Sequence, residues 1–515
     1  MLREVPSGSI RWLALALGLV SGLLYAASIP KPDAFFLAWI ALVPLILALA
    51  YLPPALYIPT GFIAGCIAAT GRTYWISETL QLYGNLPTAI AFVTTALLIL
   101  YMALYTAAFM ALCKRLDFSS PLFAWAAAAI WTLLEWAQNW MLSGFPWQLF
   151  GYSQYLNLPF VQWASISGIY GLSFVLVLFN SALAQALYFR RLSLLGLPLL
   201  LVIAIHAWGY FHLQTLDNTP APTLRVGVVQ GNISQDRKWK VNRLEWTTHH
   251  YASLARELAQ KAPQEAPDLI IFPETALPFY FDDPFYSPYR QEIRDLSNEI
   301  KIPLLVGSLE GRIGGTNTPT YNRAFMLDTE GETSGFADKV HLVPFGEFLP
   351  FPEIFQYLEA LTAESGQFAH GLAHRTIRLP NSDIHLGVFI CYESIFPEIS
   401  RTLTGLDVDF LVNTTNDAWF GHTAAPYQHF AMAIVRAVET GRSVVRAANT
   451  GISAIIAPSG RVQFSTELFE TTHFVQPVAL YRQQTLYTRY GNWILWCCGI
   501  VLVFIWIRSK KGSDG

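Results

Sequence analysis

Residues 388–398 read VFICYESIFPE. The apolar run Val388-Phe389-Ile390 stops at Cys391, and Tyr392 and Glu393 follow at once. A short apolar run bounded by polar residues reads as a buried strand. Two other stretches share the pattern. LIIFPE (269–274) ends in Glu274, and FADK (336–339) ends in Lys339. In open α/β sheets, sites gather beyond the carboxyl ends of strands. Three chemically active side chains at three strand ends can therefore converge on one site of an α/β domain.

The elements around these stretches fit that reading. TLRVGVVQGNI (223–233) alternates through a β-branched run and predicts a strand. RLEWTTHHYASLARELAQKA (243–262) predicts a helix. Further strands are expected in 303–311, 322–347, 384–394 and 409–421, with a hairpin turn at LDTEGETSG (327–335). A helix over 424–441 precedes two more strands in 443–462. Interleaved strands and helices predict a layered α/β fold over residues 222–485.

The rest of the chain is different. Only 13% of the 515 residues are charged and 53% are hydrophobic, whereas a soluble domain averages about 25% charged. The net charge of -3 and the lack of basic-aromatic runs exclude an electrostatic nucleic-acid footprint. Eight membrane helices are expected: 10–28, 34–52, 55–71, 88–113, 121–142, 164–189, 193–211 and 491–507. The second and third are alternatively one broken or re-entrant element. The domains expected are thus 1–212 in the membrane, 222–485 catalytic, and a C-terminal transmembrane helix in 490–508. The small residues of YAASIP resemble a cleavage site, but further spans follow directly, so the first helix is read as uncleaved.

Basic residues set the orientation. Arg3 and Arg11, Lys114-Arg115, Arg190-Arg191, and Arg508, Lys510 and Lys511 all fall on one side of an eight-helix arrangement. That side is expected to be cytoplasmic. The α/β domain is then expected outside the cytoplasmic membrane, in the periplasm of a two-membrane cell.

Four of the five cysteines, Cys66, Cys113, Cys497 and Cys498, lie in or beside apolar stretches and read as packing residues. Cys391 is the only cysteine of the polar part. No Cys/His spacing suits a zinc site, and neither a metal nor an organic cofactor is indicated. A cysteine nucleophile, a glutamate base and a lysine beside the developing oxyanion make a working acyl-transfer set. Taken one at a time, each is as readily a surface charge or an inert buried thiol, and spacing alone does not choose.

FPETALP, DKVHLVPFGEF, ICYESIFPE and NTTNDAWFG together resemble the nitrilase superfamily. Combined with the flanking membrane helices, SGFPWQLFGYSQ (143–154) and DRKWK (236–240), the chain resembles its membrane-embedded branch, the bacterial apolipoprotein N-acyltransferases. The resemblance implies an αββα sandwich beside the membrane domain. It implies Glu274 as general base and acid, Lys339 for oxyanion stabilisation and Cys391 as nucleophile. It also implies supporting roles for Glu347, Tyr392 and Glu393 and substrate contact at Trp239. The implied donor is a phospholipid, preferentially phosphatidylethanolamine, and the implied acceptor a diacylated apolipoprotein. A monomer suffices.

Other residues keep open readings. Trp239 is equally a loop anchor, and Glu393 equally part of an ion pair. Asn416-Asp417 are expected to shape a loop, and His429 and His341 to be structural. The apolar connections 278–289 and 349–368 are expected to act as lids or to dip toward lipid. A tethered amidohydrolase would use the same triad, with water attacking the thioester. A transporter with a degenerate domain would instead show a broken triad or a path of intramembrane charges; Glu135 is the main acidic residue in an expected span.

Overall fold

The computed structural model describes residues 7–84, 86–260, 265–312, 319–349, 353 and 368–511. They form two units. One comprises residues up to Ser77, Thr88–Thr215 and Tyr490 onward; the other comprises Glu78–Pro87 and Leu216–Arg489.

The first unit is helical. Five of its helical stretches among the described residues are long and apolar enough to cross a membrane: Ser9–Ser28, Pro54–Thr73, Thr88–Cys113, Ala164–Phe189 and Ser193–Asn218. The second, fifth and eighth expected spans are present as shorter apolar helices, Phe35–Tyr51, Phe123–Ala137 and Trp493–Arg508. The second and third expected spans are separate elements, divided where Pro53-Pro54 interrupt the helix. Small residues let the helices touch. A Cβ on Gly22 would sit 2.7 Å from the Ala64 carbonyl oxygen, and one on Gly65 would sit 2.7 Å from the Ala103 Cα. Glu135 is buried and accepts hydrogen bonds from Trp131 Nε1 (2.9 Å) and the Phe150 amide (2.7 Å). Arg72 is buried too and donates to the Trp147 carbonyl and to Gln138 Oε1. Arg72 and one oxygen of Glu135 are thus held by local polar partners, which offset the cost of burying them.

Among its described residues the second unit carries twelve strands: β1 Thr223–Gln230, β2 Leu269–Ile271, β3 Leu304–Glu310, β4 Tyr321–Leu327, β5 Thr333–Asp338, β6 Thr376–Arg378, β7 His385–Ile390, β8 Phe410–Thr415, β9 Val444–Ala448, β10 Ala454–Ile456, β11 Val462–Ser465 and β12 Thr472–Ala479. They build two six-stranded sheets, ordered β12-β1-β2-β3-β4-β5 and β11-β10-β9-β8-β7-β6. The strands β1-β2-β3 and β7-β8-β9 are parallel, so their carboxyl ends point one way within each sheet.

Alternation places one face of each sheet against the other. Val226, Val228, Leu269, Ile271 and Met326 meet Leu386, Val388, Ile390, Val412 and Val445 in one buried cluster. Burying each such side chain contributes about 1.5–3 kcal/mol. The outer face of the first sheet packs Ile270, Val306 and Phe325 against Tyr251, Ala255, Ile293 and Leu296 of helices Leu244–Ala259 and Ser287–Ile300. Helices Pro397–Gly405 and Ala425–Thr440 cover the second sheet. The order is the expected αββα sandwich.

Several elements lie beyond the expected set, among them β6, β11 and β12. β12 pairs along all of β1 although Pro477 sits within it; a proline is tolerated because β12 is an edge strand. The helices 287–300 and 397–405 have polar sequences whose few apolar residues face inward. The segment 278–289 is not the lid that was expected. Phe279 and Phe281 are buried, and the chain bonds to β3 through Phe281 N to Leu309 O (2.8 Å) and Leu309 N to Phe279 O (3.2 Å). Phe279 and Phe281 are therefore core, whereas Phe285 of the same segment is exposed. The other expected lid, 349–368, lies outside the described residues at 350–352 and 354–367.

Candidate active site

Each sheet delivers part of a site at its strand ends. β2 ends at Ile271, and Glu274 follows in a tight turn where Thr275 has φ 45°. A β-branched residue there is an outlier. Gly307 of β3 makes the turn possible, because a Cβ at that position would lie 2.2 Å from the Pro273 carbonyl oxygen and 2.6 Å from the Thr275 amide. β5 ends at Asp338. Lys339 follows, with its amide bonded to the Asn322 carbonyl of β4 at 2.8 Å.

Glu274 and Lys339 meet as expected from their strand-end positions. Lys339 Nζ donates to Glu274 Oε1 (3.1 Å) and to Glu347 Oε1 (2.7 Å). Glu347 Oε2 accepts from the Val343 amide (2.8 Å), so it is fixed while it holds the lysine. Glu274 Oε1 also accepts from Asn322 Nδ2 (2.8 Å), and its Oε2 accepts from the Asn416 amide (2.8 Å). The ammonium is fully buried, so both carboxylates interact with it little screened by water.

The charges follow from this. Burial raises the Glu274 carboxyl, but the Lys339 and Lys238 cations and the Asn322 bond outweigh it and hold the group below the ordinary glutamate range. Burial alone would lower Lys339; Glu274, Glu347 and the Cys391 sulfur lift it well above the ordinary lysine value. Lys339 is therefore cationic and Glu274 anionic at neutral pH.

On the second sheet, β7 delivers Cys391 at φ 52°, where the chain turns into a short 3₁₀ helix over 391–395. A non-glycine residue held there is strained and presents its side chain on a sharp strand-to-helix elbow. Burial, then the Glu274 carboxylate, push the Cys391 thiol far above its ordinary value, against the pull of Lys339. The resting sulfur is a protonated thiol. Tyr392 is buried directly beside it.

Glu393 forms no ion pair among the contacts seen. Its Oε1 accepts from the amides of Val340 (2.8 Å) and His341 (2.9 Å), and its Oε2 from the Ile390 amide (2.7 Å). One carboxylate thus ties the segment after Lys339 to the strand before Cys391. Burial pushes it up to about 7, against those three amides.

His429 and Asp417 are structural, in a specific way. His429 Nε2 lies 3.1 Å from the Cys391 carbonyl oxygen and 2.6 Å from Ser394 Oγ, and Nδ1 lies 3.0 Å from Asp417 Oδ1. Arg446 Nη2 donates to Asp417 Oδ2 (2.7 Å), and Nη1 donates to Asn413 Oδ1. Burial raises Asp417, but Arg446 and His429 hold it well below the usual carboxylate range. The network braces the elbow from beneath. The loop-shaping expectation for Asn416 was incomplete, since its amide binds Glu274 directly.

Trp239 lies at the end of the short helix Gln235–Lys238 and is about one-third exposed. Its neighbour Lys238 was missed. That lysine is buried, with Nζ donating to the Glu274 carbonyl oxygen (3.1 Å) and Thr275 Oγ1 (2.6 Å). Within Arg237-Lys238-Trp239-Lys240 it reads as one of a solvated basic run; only its place beside Trp239 in DRKWK pointed to it. Segment 78–87, written between expected spans, groups with this unit. Thr79 Oγ1 donates to the Trp419 carbonyl (2.8 Å), and the Tyr83 ring meets the Trp419 ring edge-on.

Residues 225–484 match the carbon-nitrogen hydrolase family, and residues 21–182 match the apolipoprotein N-acyltransferase N-terminal domain. The chain is 36% identical over 491 residues to an apolipoprotein N-acyltransferase of Geobacter metallireducens, covering 94% of this chain and 92% of that one. It is 29% identical over 466 residues to that of Photobacterium profundum (88% of each chain). It is 33% identical over 469 residues to that of Shewanella oneidensis (87% and 86%).

Proposed function

The chain belongs to the apolipoprotein N-acyltransferase family, and from that premise we propose how its residues carry out lipoprotein N-acylation. The observation that carries the reading is the buried Lys339 gripped between Glu274 and Glu347, with Cys391 on its strained elbow inside the same field.

The reaction runs in two halves. The Cys391 sulfur attacks the ester carbonyl of a phospholipid, phosphatidylethanolamine being the preferred donor, as Glu274 takes the thiol proton. A C–S bond forms and the ester C–O bond breaks. Glu274 returns the proton to the leaving alkoxide, and a lysophospholipid departs. Lys339 and the Tyr392 amide hold the oxyanion. In the second half, the α-amino group of an S-diacylglyceryl-cysteine attacks the thioester. A C–N bond forms, the C–S bond breaks, and the amine proton passes through Glu274 to the sulfur. This is ping-pong covalent catalysis.

The high thiol pKa has a use in this scheme. No thiolate stands ready to be oxidised; the proton leaves as the carbonyl carbon is attacked. The membrane helices serve substrates whose chains leave a bilayer only at ~0.8 kcal/mol per CH₂. The enzyme is assigned to the bacterial cytoplasmic membrane with its α/β domain on the periplasmic side, as the distribution of basic residues supports.

The test is intact-protein and peptide mass spectrometry of wild-type and Cys391→Ala enzyme after incubation with phosphatidylethanolamine. The expected result is an acyl adduct on Cys391, absent in the variant, discharged by a diacylated lipopeptide. Discharge by water at the same rate would favour the amidohydrolase reading, and no adduct would sink the thioester.

A further inference from the structure

Lys238 is a buried cation that the two-step reaction leaves without a task. Its ammonium donates to the Glu274 carbonyl oxygen (3.1 Å) and Thr275 Oγ1 (2.6 Å), the two residues that form the turn carrying the base. Both are neutral acceptors. A lysine that only needed a partner would pair with a carboxylate or reach water; burying an ammonium against neutral oxygens is costly. The turn it grips is strained at Thr275 and pressed against Gly307, a conformation that persists only where neighbours over-determine it.

We propose that Lys238 is the positioning residue of the base: it clamps the Glu274-Thr275 turn and keeps the Glu274 carboxylate ionised beside Cys391. The assignment rests on the reading of Glu274 as base.

The groups acting on Lys238 are the Glu274 carboxylate and, once it has lost its proton, the Cys391 sulfur. Burial lowers its ammonium to about 7, and those two groups pull the other way. The Trp239 ring lies 5.9 Å from its Nζ. Glu274 in turn feels Lys339 and Lys238 together. Below pH 7 Lys238 is charged and lowers the Glu274 carboxyl. Removing it leaves Lys339 alone in that task, so Glu274 titrates higher. Sequence position adds a link to substrate, because the clamp adjoins Trp239, and Asn416 binds both Glu274 and, at 2.9 Å, Gln235 of the same short helix.

The experiment measures the rate of Cys391 alkylation by iodoacetamide across pH 3.5–8, read at the Cys391 peptide in the full-length enzyme. It compares wild type, Lys238→Met and Lys238→Arg. The acid limb is expected to move up by about one pH unit in Lys238→Met, a roughly tenfold rate loss on the limb, and to return in Lys238→Arg. An unmoved limb in Lys238→Met, with only a lowered melting temperature, overturns the proposal and marks the lysine as a packing element. Thr275→Val guards against a misfolded methionine variant. It is expected to keep the wild-type limb and lower the plateau about tenfold, and a wild-type plateau would overturn the clamp. Acylation by phosphatidylethanolamine, followed in the same samples, reports separately. A shifted limb without any lipid adduct would refute the donor assignment and leave the role of Lys238 standing.

Discussion

The strand ends of the two sheets prepare a site in opposite ways. On the first sheet, charges neutralise one another: Lys339 sits between Glu274 and Glu347, and Lys238 grips the turn. On the second, Cys391 is held by backbone strain, while the charged network of Asp417, His429 and Arg446 stays underneath it. The two buried glutamates show the difference. Glu274 is hydrogen-bonded to a cation and titrates low; Glu393 is hydrogen-bonded to amides, and burial lifts it to about 7. In the proposed reaction, one sheet supplies groups that exchange protons and bear charge, and the other a fixed direction of attack.

If that division holds, variants should separate into losses of rate and losses of structure. The largest rate effect is expected from Glu274→Gln and Lys339→Ala, which should slow Cys391 acylation by about 10²–10⁴-fold with folded protein still recovered. Acylation at the wild-type rate in either would break the comparison on its first side. Arg446→Met belongs to the second side. It leaves Asp417 buried without its cation and should cost about 3–5 kcal/mol, read in detergent by thermal or denaturant unfolding. A melting curve like that of wild type would mean the network braces nothing.

Glu393→Gln tests the bridge between the sheets. A glutamine has one acceptor oxygen for three amides, so about 1–3 kcal/mol of stability is expected to go, with a smaller rate loss than for Glu274→Gln. A rate loss equal to that of Glu274→Gln would make Glu393 a second proton carrier and blur the division. The smallest structural effect belongs to Trp239→Ala. The ring is partly exposed, so stability should change by about 0.5 kcal/mol or less. If Trp239 touches substrate, the loss appears in KM for phospholipid rather than in melting; unchanged KM and kcat would return it to the loop-anchor reading.

Much of this was legible because strand ends are legible. LIIFPE and VFICYES each close a buried apolar run with a reactive residue, and Glu274 and Lys339 do meet beyond their strand ends. The same logic failed where polarity misleads. The helix Ser287–Ile300 and strand β12 are too polar, or too interrupted by proline, to stand out. Lys238 hides in a basic run, and 278–289 looked like a flap because Phe279 and Phe281 turn inward only once β3 is beside them. Helices Thr88–Cys113 and Ala164–Phe189 have the expected bounds, whereas Phe123–Ala137 is shorter than the expected 121–142 and Ser193–Asn218 runs past 211.

The sequence by itself determined which stretches avoid water, which strands end in reactive groups, and that Cys391 has no thiol partner in its domain, because these follow from local composition and period. Only the tertiary structure decided what each carboxylate binds. Glu393 adjoins Cys391 in the chain, yet three amides turn its oxygens away into a bridge. Glu274, distant in sequence, is brought to the lysine by the stacking of β2 through β5. The roles of the two glutamates are set by hydrogen-bond partners and buried charge, and those exist only after the sheets have assembled.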